Sequence, residues 1–166
     1  MSNEPGETAE GAVEEQMLEE PVEIGLRDLM ATVLAGGLGM LAMVPSFVAA
    51  VEVGVTSVDS FSSFAELVML GGSNLIAGAI VFGVVGVFVH PLLFAAVAGY
   101  LPGKQWSTRG IVFALVLSTG FLPGFYTGQT GVALVGYVVL ALFGHVAYGV
   151  VLGAVYGHYQ RADYAV

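Results

Sequence analysis

The sequence predicts an all-α, polytopic membrane protein, with four transmembrane helices in a compact bundle and both termini cytoplasmic. Three observations lead there. Of 166 residues, 57% are apolar and only 10% are charged, whereas a soluble domain carries about 25% charge. The mean hydropathy is +0.87. The few charges are also segregated, leaving uncharged stretches of 23, 37 and 51 residues at 29–51, 67–103 and 110–160. A transmembrane barrel would need short strands of alternating polarity, and these stretches are continuously apolar.

Residues 1–27 read as an acidic, disordered cytoplasmic tail. Eight of the 13 acids lie between Glu4 and Glu23, with Pro, Gly and Ser and no aromatic residue. Such a segment buries too little apolar surface to offset its ordering entropy. It also lacks the basic region directly ahead of an apolar run that an export signal needs, so the first apolar segment is expected to stay in the protein. The membrane domain is then 28–160, followed by a short C-terminal tail at 161–166.

The first span, about 29–51, lies between Asp28 and Glu52 and suffices to cross a hydrocarbon core of about 30 Å. The run 67–103 would make one helix of about 55 Å, too long for one crossing and too short for two. Ser63-Phe-Ala-Glu66 has the pattern of a capping box that starts a helix, and Gly71-Gly72-Ser73-Asn74 then breaks or kinks it. The second crossing is placed at about 75–100. The run 110–160 accommodates two helices if the turn residues from Pro123-Gly124 to Gly131 interrupt it. That yields spans at about 107–123, which is marginal in length, and 132–156.

Four spans bring Arg27, Lys104, Arg109 and Arg161 to one side and leave Glu52, Asp59 and Glu66 in the first loop on the other. The positive-inside rule makes the basic side cytoplasmic. Tyr100, Trp106, Tyr156 and Tyr159 fall at that same headgroup level, where amphipathic rings anchor. No basic cluster supports nucleic-acid binding. With no cysteine in the chain there is no disulfide framework or thiol chemistry, and no metal site is expected.

His145, Gly149, Gly153 and Gly157 recur at spacing four and share one face of the last helix. A glycine groove lets another helix approach closely, which drives association where lipid offers no hydrophobic gain. That helix belongs to this chain or to a second one. Ala31, Ala35 and Gly39 on span one offer a matching surface, as do Ala79 with Gly83, or Gly78 with Phe82 and Gly86, on span two. His145 lies near the middle of its span and must face protein. Its ring N–H needs an acceptor, and Tyr148 at i+3 or a neighbouring helix is the expected source. An interhelical hydrogen bond is the plain reading; a proton relay, a quinone contact or a haem ligand is the functional one. His90, followed by Pro91, is the natural second imidazole for a b-type haem, so His90, His145 and Tyr148 form the candidate relay or haem site. Alternatively, Pro91 kinks span two and His90 bonds a freed carbonyl. His158 reads as interfacial.

Other chemistry is scarce. Gly37-Leu-Gly39-Met-Leu-Ala42 matches a dinucleotide fingerprint but lies inside an apolar span without a preceding strand. There is no HExxH, P-loop or GxSxG, and no carboxylate between Leu29 and Val51 or between Glu66 and Asp163. No catalytic residue is assigned, and an enzyme is not expected. Ser118, Thr119, Tyr126, Thr127, Gln129 and Thr130 gather at the outer end of spans three and four, as a short turn requires or as the vestibule of a small pore would.

The run Phe143-Gly-His145-Val-Ala-Tyr148-Gly149 through Tyr156-Gly157 resembles the final helix of a family of small, uncharacterised four-helix prokaryotic membrane proteins. The turn Arg109-Gly110 is similar to that family too. The acidic tail, low lysine content and Ala, Val and Gly richness look like a haloarchaeal member. The resemblance implies an accessory subunit associated with haem-copper terminal oxidases and brings no catalytic residue. The expected function is therefore an accessory or structural subunit of a respiratory, terminal-oxidase-like membrane complex. Its partners would be the bilayer and larger membrane subunits, or other copies of itself. The alternatives are a small oligomeric transporter or channel and a b-type haem electron-transfer protein.

Overall fold

The computed structural model describes residues 25–68 and 74–163. Among them are five helices: α1 (Leu26–Glu52), α2 (Ser60–Leu67), α3 (Leu75–Val97), α4 (Trp106–Gly124) and α5 (Gly131–Asp163). The acidic segment 1–23 and the Gly71–Ser73 break lie outside the described residues. Three helices are long and apolar enough to cross a membrane, at Leu29–Glu52, Leu75–Val97 and Gly131–Gln160. The segment expected to form the third span is a helix of 19 residues, α4, but it is not among these three.

The termini of the helices follow from local chemistry. Val55 N–H returns to Ala50 O and Gly54 N–H to Val51 O, which closes α1 in a Schellman turn. Gly54, at φ 73°, occupies the left-handed position that this turn requires. The predicted capping box is not used: α2 starts at Ser60, so Ser63 and Glu66 fall inside it. The cap instead belongs to α3, where the Asn74 side chain accepts the Ala77 N–H at 3.0 Å. Asn74 therefore starts the second crossing rather than breaking it.

α5 is the central helix, packed antiparallel against α1 on one side and α4 on the other. α3 lies on α1, and α2 covers the first half of α3. The α4–α5 seam is built from glycine. A Cβ at Gly149 would overlap the Gly110 carbonyl, and one at Gly110 would overlap the Gly149 carbonyl. A turn further on, Gly153 lies against the Trp106 carbonyl and Gly157 under the Trp106 ring. The spaced glycines are thus occupied by this chain's own α4. Between α1 and α5 Gly39 meets Tyr148, and between α1 and α3 Gly36 meets Pro91 and Gly86 meets Met40. Gly78 packs on the Phe61 backbone of α2, so of the two small surfaces considered for span two it is Gly78 and Gly86 that are closed.

Two apolar layers fill the bundle. One centres on Phe94, Phe113, Tyr148 and Leu152, toward the end that carries Trp106 and Tyr156. The other centres on Phe125 and Tyr137, with Phe61, Phe64, Phe82 and Phe121 packed around them. In that layer the Phe125 ring stacks on Phe121 at 4.3 Å and on Phe64 at 5.0 Å, and meets Phe61 edge-on at 5.4 Å. The outward faces are apolar as well: Leu34, Leu38, Leu41 and Val48 on α1, and Ile76, Ile80 and Val84 on α3, are exposed. Thr32, Ser46, Ser118 and His145 are buried. Apolar outside and polar inside is the distribution for a chain whose solvent is lipid.

Gly149→Leu should force α4 and α5 apart and cost about 3 kcal/mol or more, a cost set by overpacking against backbone that cannot yield. Gly120→Leu should leave stability unchanged, because a Cβ there meets nothing within 4 Å. Thermal unfolding of the two variants in detergent, followed by circular dichroism, checks the contrast.

Candidate functional site

Between the two apolar layers lies a cavity of about 200 Å³, walled by α1, α3, α5, Phe61 of α2 and Phe121 of α4. Its lining is Met40, Met43, Phe47, Phe82 and other apolar side chains, together with Ser46, Thr56, Tyr137 and His145. Small residues, Ala79, Gly83 and Ala141, form part of its wall, and Gly144 brings α5 close to Met43 and Ser46 of α1.

His145 is 5% exposed. Its Nδ1 lies 2.8 Å from the Ala141 carbonyl one turn back. A carbonyl only accepts, so Nδ1 carries the proton. The expected partner, Tyr148, is not used, and the bond is intrahelical rather than interhelical. The other nitrogen, Nε2, makes no hydrogen bond to the protein. Since no fully buried side-chain nitrogen or oxygen among the described residues lacks a partner, Nε2 keeps accessible surface, on a residue that lines the cavity. The Phe121 ring meets the imidazole edge-on at 4.8 Å. Nearby, Ser46 Oγ donates to the Leu140 carbonyl, and Tyr137 Oη donates to the Leu122 carbonyl at 2.8 Å. Ser46 and Tyr137 went unremarked in the sequence, although a hydroxyl inside an apolar span is a visible signal.

Tyr148 performs a different task. α3 contains a π-helical turn at Val85–Val89, in which His90 N–H reaches back five residues to Val85 O. In that register the next amide would address Gly86 O, but the next residue is Pro91, which has none. Tyr148 Oη donates to Gly86 O at 2.8 Å and satisfies the orphaned carbonyl. The freed carbonyl is therefore bonded from α5 and not by His90. His90 is partly buried on α3 and does not line the cavity. Of the two imidazoles, only His145 lines the cavity. Among the described residues no three His, Cys, Asp or Glu side chains come together.

The polar residues at the end of α4 close a turn. Ser118 and Thr119 donate to carbonyls of their own helix, at 2.6 and 2.7 Å. Gln129 accepts from Thr127 N–H and donates to Val55 O at 3.1 Å, tying this turn to the one after α1. At the opposite end Arg109 lies 5.1 Å from the Trp106 ring centre and donates to Gly103 O. His158 is exposed, with the Tyr159 ring at 5.8 Å.

The match to known proteins spans this same bundle. Residues 26–166 fit the model of a family of unknown function, DUF6789. The chain belongs to that family. The matched region takes in all five helices and leaves out the acidic segment. No curated protein and no solved structure matches the chain. DUF6789 is, on these helices, a family of membrane-embedded helical proteins.

Tyr148→Phe should cost about 1 kcal/mol, the net worth of a hydrogen bond between transmembrane helices. In a Pro91→Ala background the same change should cost little, because the restored amide can serve Gly86 O. Unfolding free energies of the wild type, both single variants and the double variant test that coupling.

Proposed function

We propose that the chain is a non-catalytic, four-span accessory subunit of a larger membrane complex, of the respiratory, terminal-oxidase-like kind, from a haloarchaeal-type lineage. The observation that carries the non-catalytic part is where the buried polar hydrogens go. Ser46, Ser118, Tyr137, His145 and Tyr148 each direct theirs to a backbone carbonyl, so these side chains brace helices rather than one another. A nucleophile with its base, or an acid with its conjugate partner, would show side chains paired together. The respiratory part rests on the resemblance of the run 143–157 to its family.

In this reading α4 is the third of four crossings. Its 19 residues extend about 28 Å as a helix, close to the hydrocarbon thickness. The helix directions bring Arg27, Lys104 and Arg109 to one end of the bundle, together with the last turns of α5. By the positive-inside rule that end is cytoplasmic, and both termini with it.

The absence of native cysteine makes topology directly measurable. In intact cells a membrane-impermeant maleimide should label Ser57→Cys and Thr127→Cys but not Lys104→Cys. Labelling of Lys104→Cys would overturn the orientation, and protection of Thr127→Cys would overturn the crossing by α4. For the assembly, the tagged protein is purified from native membranes in mild detergent and its dithionite-reduced minus air-oxidised spectrum is recorded. Co-purifying a-type haem is the expected result. A b-type signal lost in His145→Ala would replace this reading with an intrinsic haem, and a featureless spectrum would overturn the respiratory assignment.

A further inference from the structure

The cavity at His145 has the size, the walls and the hydrogen-bonding polarity of a site for one kind of ligand. An apolar cavity of about 150 Å³ accepts benzene, so about 200 Å³ accommodates a single ring with a small substituent. Phe47, Phe61, Phe82 and Phe121 line it, presenting ring edges and faces to an aromatic guest. Met43 adds a flexible apolar side chain that adapts to a ring edge. The polar atoms are more selective still. Ser46, Tyr137 and His145 have all committed their hydrogens to carbonyls of Leu140, Leu122 and Ala141. What they turn toward a guest is acceptor capacity, and the strongest acceptor is the unshared pair on His145 Nε2. Among the groups around His145 a carbonyl compound meets acceptors only, whereas a hydroxyl finds its acceptor in Nε2; the remaining lining hydroxyl, Thr56, shares a hydrogen with Ser60 Oγ at 3.1 Å.

We propose that this cavity binds a membrane-dissolved phenol-type ring, such as a hydroquinone headgroup, whose hydroxyl donates to His145 Nε2. Entry is from the bilayer between α1 and α3. Val44 of α1 and Gly83 of α3 both line the cavity; Val44 is 50% exposed, and a Cβ on Gly83 meets no atom within 4 Å.

The test uses the full chain, labelled with nitrogen-15 histidine, in detergent micelles, with p-cresol and toluene as probes. These are single rings that differ by the hydroxyl. p-Cresol should move the His145 Nε2 resonance in the direction of hydrogen-bond acceptance, and toluene should not. Referred to the micelle phase, p-cresol should bind about two- to tenfold more tightly than toluene, the range for one net hydrogen bond. His145→Phe should abolish that preference. Gly83→Leu, which places its side chain in open space beside the cavity, should remove binding of both probes while the protein stays folded. No Nε2 shift with p-cresol, equal affinity for both probes, or a p-cresol shift that survives Gly83→Leu would each overturn the proposal.

Discussion

The close approach of α4 and α5 at Gly110 and Gly149 is the contact on which the rest of the bundle depends. With no side chain on either residue, backbone meets backbone, and the dispersion gained there replaces the hydrophobic gain that lipid does not offer. Everything along the seam takes its position from that crossing. One direction leads to Trp106 seated on Gly157 with Arg109 over its ring. The other leads to Phe121, which is brought edge-on to His145. Because α5 also packs along α1, a shift in the α4 seam would carry through to Gly39, Met43 and Ser46 on the far side.

Lipid imposes the second constraint, since a polar hydrogen or carbonyl inside the bilayer has no water to turn to. The chain answers it with backbone carbonyls as the common acceptor. The clearest case is α3, where a π-turn shifts the hydrogen-bond register by one residue and Pro91 then leaves Gly86 O without an amide. Tyr148 crosses from α5 to fill that place, so a helix defect becomes a link between two helices. The same linkage sets the depth at which α3 sits against α1, with Met40 on Gly86 and Pro91 on Gly36.

The cavity is a consequence of both constraints. Small residues are needed for close helix approach, as at Gly144 against Met43 and Ser46, yet Ala79 and Gly83 line a space held open by α2 and by the Phe61, Phe82, Phe121 and Phe125 cluster. Helices braced at two aromatic layers cannot collapse onto the space between them. His145, which lines that space, therefore keeps one nitrogen engaged and one accessible.

The sequence by itself determined the solvent and the long helices. Uncharged runs at 29–51 and within 67–103 and 110–160 admit only lipid-facing helices, because length and charge are local properties that need no partner. The spacing of His145, Gly149, Gly153 and Gly157 likewise placed four residues on one helix face before any contact was known. What lies across from that face was decided by tertiary structure, since both a second chain and α4 could satisfy a glycine groove. The same holds for α2: a capping-box pattern around Ser63 was locally sound, but packing on Gly78 and Phe125 drew the helix start back to Ser60 and left the cap to Asn74. Tyr148 looked like a partner for His145 because they are three residues apart. The π-turn on another helix took the hydroxyl instead, and a carbonyl orphaned on α3 has no signature in the sequence of α5. The cavity was the least legible feature of all, because empty volume belongs to no residue and arises only where five helices fail to close.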